Sequence, residues 1–138
     1  MASILKIDEL QGLTTTGDIT VTSEGGTATM QLQQGLVKAW GYLNGDNTTF
    51  YDSFGISSAS DESTGVIDFT LSSAMSNSNY ACAGAAGQND GGYASQFNAN
   101  NQTRTTTVFE VGTGYVVNGA ESFADRDSVN FTITGDLA

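Results

Sequence analysis

At 138 residues the chain is the size of one domain, and 15 acidic against 4 basic residues give it a net charge of −11. That balance disfavours nucleic acid and anionic membrane surfaces as partners. Phosphate binding needs clustered Lys and Arg, and Lys6, Lys38, Arg104 and Arg126 are scattered singly. The absence of histidine excludes Ser-His-Asp and Cys-His catalysis and zinc sites built from His and Cys.

The first segment, Ser3-Ile4-Leu5-Lys6-Ile7-Asp8-Glu9-Leu10, reads as a strand over 4–10, with residues 7–12 as a weak alternative for a helical turn. It lacks the basic and long apolar regions of a secretory signal, and no run approaches the ~20 apolar residues of a membrane span. The expected product is soluble and folds in the cytosol where it is made. Ile19 and Val21 alternate with Thr20 and Thr22, and Ala28, Met30 and Leu32 alternate with Thr29, Gln31 and Gln33. These patterns predict strands over 18–23 and 27–33, divided by Gly25-Gly26.

Residues 1–34 hold few bulky core residues, whereas Trp40 and every Phe and Tyr follow Gly35. The chain is therefore divided into an N-terminal anchoring and oligomerisation arm, 1–34, and a sandwich domain, 35–138. Within the latter, strands are predicted over 36–43, 48–57, 65–71, 79–86, 92–98, 104–111, 114–118 and 128–135. Asn44-Gly45, Asp90-Gly91 and Asn118-Gly119 are the strong hairpin signals, and Ser63-Thr64-Gly65 and Gly112-Thr113-Gly114 the softer breaks. Near the end Val129, Phe131 and Ile133 alternate with Asn130, Thr132 and Thr134. Many short alternating strands between turns make the expected fold all-β: an antiparallel β-sandwich, jelly-roll-like, with an extended N-terminal β arm. Hydrophobic residues are only 38% of the chain, so the core is modest and a subunit interface is expected to complete it.

Candidate chemistry is sparse. Cys82, the single cysteine, lies in an apolar run and reads as a buried, inert thiol. Asp46, Asp61, Glu62, Asp90, Asp125 and Asp127 are loop carboxylates. A pair of them could in principle cleave a glycosidic bond, but solvated surface charge is the simpler reading and no enzyme is expected. Asp125-Arg126-Asp127-Ser128 and Gln88-Asn89-Asp90 are oxygen-rich loops without EF-hand spacing, and Arg126 between two Asp residues suggests charge neutralisation. No cofactor or metal is expected. Sugar binding is the stronger candidate: Tyr51, Tyr93 and Tyr115 supply aromatic faces, with Asn98, Asn100, Asn101 and Gln102 as hydrogen-bonding amides. Half-buried strand tyrosines and an exposed Asn-rich loop tip are the plainer alternative. Trp40, Phe50, Phe54 and Phe69 read as core; a sugar platform at Trp40 is the alternative, which a thermal melt of Trp40→Ala separates.

The opening from Ser3 to Gln11 resembles that of many tailed-phage virion proteins, particularly those of marine phages. So do Gly35-Leu36-Val37-Lys38-Ala39-Trp40, Asn44-Gly45, Asp52-Ser53-Phe54, Thr64-Gly65 to Phe69-Thr70, Ala74-Met75, Asn79-Tyr80-Ala81 and the final Gly135-Asp136-Leu137-Ala138. The resemblance covers most of the chain, least between about 86 and 104, and is to proteins called tail-fibre or virion structural proteins. It implies a non-enzymatic homotrimer located in the virion after synthesis in the host cytoplasm. Ile4, Ile7 and Leu10 would anchor it to other virion proteins of the tail or capsid, and the loop set Tyr93, Asn98, Asn100, Asn101 and Gln102 would meet a host-surface glycan. The alternative of a different class is a capsid decoration or cement protein that binds the head lattice.

Overall fold

In the computed structural model, residues 5–12, 19–22, 26, 28–44, 48–87, 94–99 and 103–138 are described below. The chain divides into two units, residues 1–36 and 37–138.

In the first unit, β1 (Thr20–Thr22) pairs antiparallel with β2 (Thr29–Gln31), followed by a single helical turn, α1 (Leu32–Gly35). The Leu32 amide donates to the Ile19 carbonyl at 2.8 Å and ties that turn to the pair. Residues 5–12 form neither the predicted strand nor the helical turn, because Leu5, Ile7 and Leu10 stay exposed and bury no face that would fix either.

The second unit is an antiparallel β-sandwich of β3 (Val37–Asn44), β4 (Phe50–Phe54), β5 (Ile56–Ser63), β6 (Val66–Leu71), β7 (Ala81–Gly87), β8 (Ala94–Asn98), β9 (Val108–Val117), β10 (Ala120–Phe123) and β11 (Ser128–Thr134). One sheet runs β4-β3-β11-β7. The other runs β10-β9-β6-β5, with β8 also on β9. The last strand thus lies between the first strand of the unit and β7, the long-range return that Greek-key and jelly-roll sandwiches use.

Between the sheets Ala39, Leu43, Val129, Phe131 and Ile133 on the inner face of one sheet meet Ile67, Phe69, Phe109 and Val111 from the other, all buried. The centre is aromatic: ring centroids are 4.5 Å apart for Phe69–Phe131, 5.0 Å for Phe69–Phe109 and 5.1 Å for Phe109–Phe131. Each such ring contributes roughly 1.5–3 kcal/mol by burial. Phe131 fits because its cross-strand neighbours are Gly41 and Gly84. A Cβ on Gly41 would come within 2.8 Å of the Phe131 and Phe50 rings, and one on Gly84 would meet the Asn130 carbonyl oxygen and the Phe97 ring.

Three sequence expectations are corrected here. Trp40 is half-buried on the outward face of β3, since Ala39, Gly41 and Leu43 take the inward positions. Phe54, opposite Trp40 in β4, is exposed for the same reason, whereas Phe69 is core and Phe50 packs partly against it. The predicted break at Gly112-Thr113-Gly114 is the middle of the continuous strand β9. The Asn118-Gly119 turn forms as expected, with φ of +50° and +79°, and returns the chain as β10.

Candidate functional site

Strand β9 organises the site because three strands pair with it. Gly112 is paired with both Val66 and Asn98, and Val116 with both Ala94 and Glu121. Strand β8 therefore occupies one edge of β9, while β6 and β10 share the other along its length. Alternation sends Phe109 and Val111 into the core and turns Gly112 and Gly114 outward. Gly112 and Thr113 lie at the bottom between β8 and β10. A Cβ on Gly114 would run into the Ser122 carbonyl and lie 3.2 Å from the Phe123 Cα, so β10 covers Gly114 at a distance only glycine allows.

The resulting groove, of about 230 Å³, has Gln96 and Asn98 on one wall and Glu121, Ser122 and Phe123 on the other. The Gln96 side-chain amide donates to Glu121 Oε1 at 3.2 Å, bridging the walls. Phe123 keeps 57% of its surface in solvent. The volume lies below the roughly 300–1,000 Å³ of a drug-sized pocket and suits one small ring.

Two of the four basic residues clamp this site. At the β10 end Arg126, 3% exposed, donates from Nε to the Gly114 carbonyl at 2.8 Å and lies 4.9 Å over the Tyr115 ring. Beside it the Thr113 hydroxyl donates to the Ala124 carbonyl at 2.9 Å, and the Gly65 amide donates to Asp125 Oδ1 at 2.6 Å. At the β8 end Arg104 donates to the Ala99 carbonyl at 2.6 Å and the Tyr80 carbonyl at 2.8 Å, with its guanidinium 5.1 Å over the Tyr80 ring. Both walls are thus fixed from behind.

The outer face of this sheet is acidic. Asp68 is paired across strands with Ser60 and Glu110. Burial, then the Glu110 and Glu62 charges, raise its pKa, and its Oδ1 is enclosed without a hydrogen-bonding partner. Such a face repels anions. An exposed aromatic ring, two amides and a carboxylate acceptor instead suit a neutral, hydroxyl-rich ring, apolar on its flat side and hydrogen-bonding at its rim.

Of the residues named from sequence, Asn98 lines the groove. Tyr93, Asn100, Asn101, Gln102 and Ile4 lie outside the described residues. Tyr115 is on β9 beneath Arg126, and Tyr51 is on β4 in the other sheet, so neither joins Asn98. Ile7 and Leu10 are exposed in the first unit, about half of each facing solvent. Asp125 accepts the Gly65 amide, and the 88–90 loop lies outside the described residues. Among the described residues no group of three or more His, Cys, Asp or Glu is placed to hold a metal ion, and no helix is long and apolar enough to cross a membrane. Sequence reading missed Gln96, Glu121 and Phe123; the available signal was Gly112-x-Gly114, which marks a close approach when it falls inside a strand. Compared with family models, curated proteins and solved structures, the chain matches none.

Proposed function

We propose that the chain is a non-enzymatic bacteriophage virion structural protein, a trimeric fibre-type projection held by its N-terminal segment and attaching to a host-surface glycan. The observation that carries the attachment role is the groove, where exposed Phe123 stands with the Gln96 and Asn98 amides and Glu121 around Gly112 and Thr113. Glycoside hydrolysis needs two carboxyl groups across the bond; among the described lining residues Glu121 is the single one, which favours binding over cleavage. The anchoring role is supported by Leu5, Ile7 and Leu10, which present apolar surface to solvent where a docking partner would gain from covering it. The virion assignment rests on the resemblance of the sequence segments to phage fibre proteins.

The test is a glycan array probed with the full chain and with Asn98→Ala, Phe123→Ala and Glu121→Gln, each checked by thermal melt. All three substitutions fall at the solvent-facing groove and should leave folding intact. Selective binding to neutral glycans that weakens about tenfold or more in each variant is the expected result. Equal binding by wild type and all three variants would remove the groove from the function.

A further inference from the structure

The sheet opposite the groove carries a second surface whose chemistry the groove does not use. On β3, Lys38, Trp40, Tyr42 and Asn44 take the outward positions. The register sets two rows across the sheet: Phe54, Trp40, Thr132, Ala83 and Asp52, Tyr42, Asn130, Ala85. An irregularity between Tyr42 and Leu43 adds Tyr51 to the aromatic side. Its ring is 4.9 Å from that of Tyr42 at a 38° tilt, and its hydroxyl donates to Asn44 Oδ1 at 3.2 Å.

From β3 onward side chains therefore shrink along each row, from the Trp40 and Tyr42 rings through Thr132 and Asn130 on β11 to the bare methyls of Ala83 and Ala85 on β7. The product is a shallow trough with Trp40 and Tyr42 as its wall, Ala83, Gly84 and Ala85 as its floor, and Asn130 and Thr132 between. Tyr51 and Phe54 extend the wall, 61% and 59% exposed.

We propose that this outer face is a second carbohydrate-binding surface, which takes an extended neutral oligosaccharide lying on the floor and stacked against Trp40 and Tyr42. The assignment rests on the reading of the sandwich as a glycan binder, but not on the groove or on a place in a virion. Flat apolar sugar faces match aromatic rings, and their hydroxyls find Asn130 and Thr132 in the middle of the trough. Charge argues against an anionic polymer, which would meet a chain of −11 with Asp52 directly opposite Tyr42.

Trp40 is the only tryptophan, so selectively excited tryptophan emission reports this face. The experiment titrates the full chain with neutral glucan, mannan and galactan oligosaccharides while following Trp40 emission, and repeats it with Tyr42→Ala, Ala85→Gln (which fills the floor) and the groove variant Phe123→Ala. Sedimentation velocity runs alongside. The expected result is a saturable emission change with at least one oligosaccharide, weakened about tenfold in Tyr42→Ala and Ala85→Gln and retained in Phe123→Ala. No emission change with any of them overturns the proposal, as does a response unaltered by both trough variants. A response lost only in Phe123→Ala overturns it too and leaves the groove as the sugar site. Concentration-dependent association that shields Trp40 from iodide would give the face to a second copy instead. Retained trough binding with no effect of the groove variants on the array would sink the groove and leave this surface standing.

Discussion

Tyr80 and Cys82 show how burial tunes a chain without histidine. The Tyr80 hydroxyl donates to the carbonyls of Thr105 at 3.0 Å and Val108 at 3.3 Å. Burial pushes its pKa from 10.0 to about 12, with Arg104 pulling the other way and Cys82 adding to the rise. Burial likewise lifts the Cys82 thiol from 9.0 to about 11 against the pull of Arg104, the inert thiol its apolar neighbours suggest. Both groups hold their protons more tightly folded than unfolded. Between the ordinary and the raised values the unfolded chain ionises first, so stability falls as pH rises from 9.0 through the window ending near 12. Denaturant midpoints across that window should decline, and Cys82→Ala should flatten the lower part of the decline; an unchanged slope would show that the thiol is not linked to folding. Asp68 has the same sign at lower pH. Its pKa is raised by burial, Glu110 and Glu62, so its ionised form weighs against the fold above that raised value. Asp68→Asn should raise the melting temperature at neutral pH and lose that advantage below the ordinary Asp range. A lower melting temperature at neutral pH would contradict it. At this scale Asn98 was legible as a polar residue beside a loop, while Trp40 was not legible as a surface residue. Its ring size argues for burial, yet its parity with Lys38, Tyr42 and Asn44 decides the matter.

Strands declare themselves in sequence when one face is buried and the other is wet. Strands β3, β6 and β11 do so and were predicted nearly as they stand. Strand β10 is exposed at every position, so it shows no alternation to read. Strand β5 turns only Ile56 and Ala59 toward the core, and Ile56-Ser-Ser-Ala-Ser-Asp-Glu-Ser63 reads as a loop. Strand β9 reads from sequence as two strands split at its glycines, because local turn chemistry gives no hint that partners on both edges hold Gly112 and Gly114 extended. The 104–107 stretch, expected as strand, is instead a turn in which Thr105 Oγ1 accepts the Thr107 and Val108 amides at 3.2 Å and 2.9 Å. The inner glycines are equally specific. Gly84→Ala should cost about 1–3 kcal/mol by overpacking against Asn130 and Phe97, measured by urea unfolding, whereas Ala85→Gln on the wet side of the same strand should change stability by less than about 0.5 kcal/mol. Equal effects would mean the register of β7 is wrong.

For the molecule as a whole, charge, core and surface point the same way. A net charge of −11 keeps copies apart in solution, so any assembly must gain from apolar contact, and Leu5, Ile7 and Leu10 offer it. The fold class was legible from alternation and turns. The groove was legible only at one residue, since it is made where β8, β9 and β10 converge from separate stretches of sequence. The most direct measurement of the central claim is immunogold electron microscopy of intact phage particles, with copies per particle counted. The account predicts label at the tip of a projection, in few copies and in multiples of three. Label spread over the capsid lattice in hundreds of copies would replace the projection with a head decoration protein, and particles without label would contradict the virion assignment altogether.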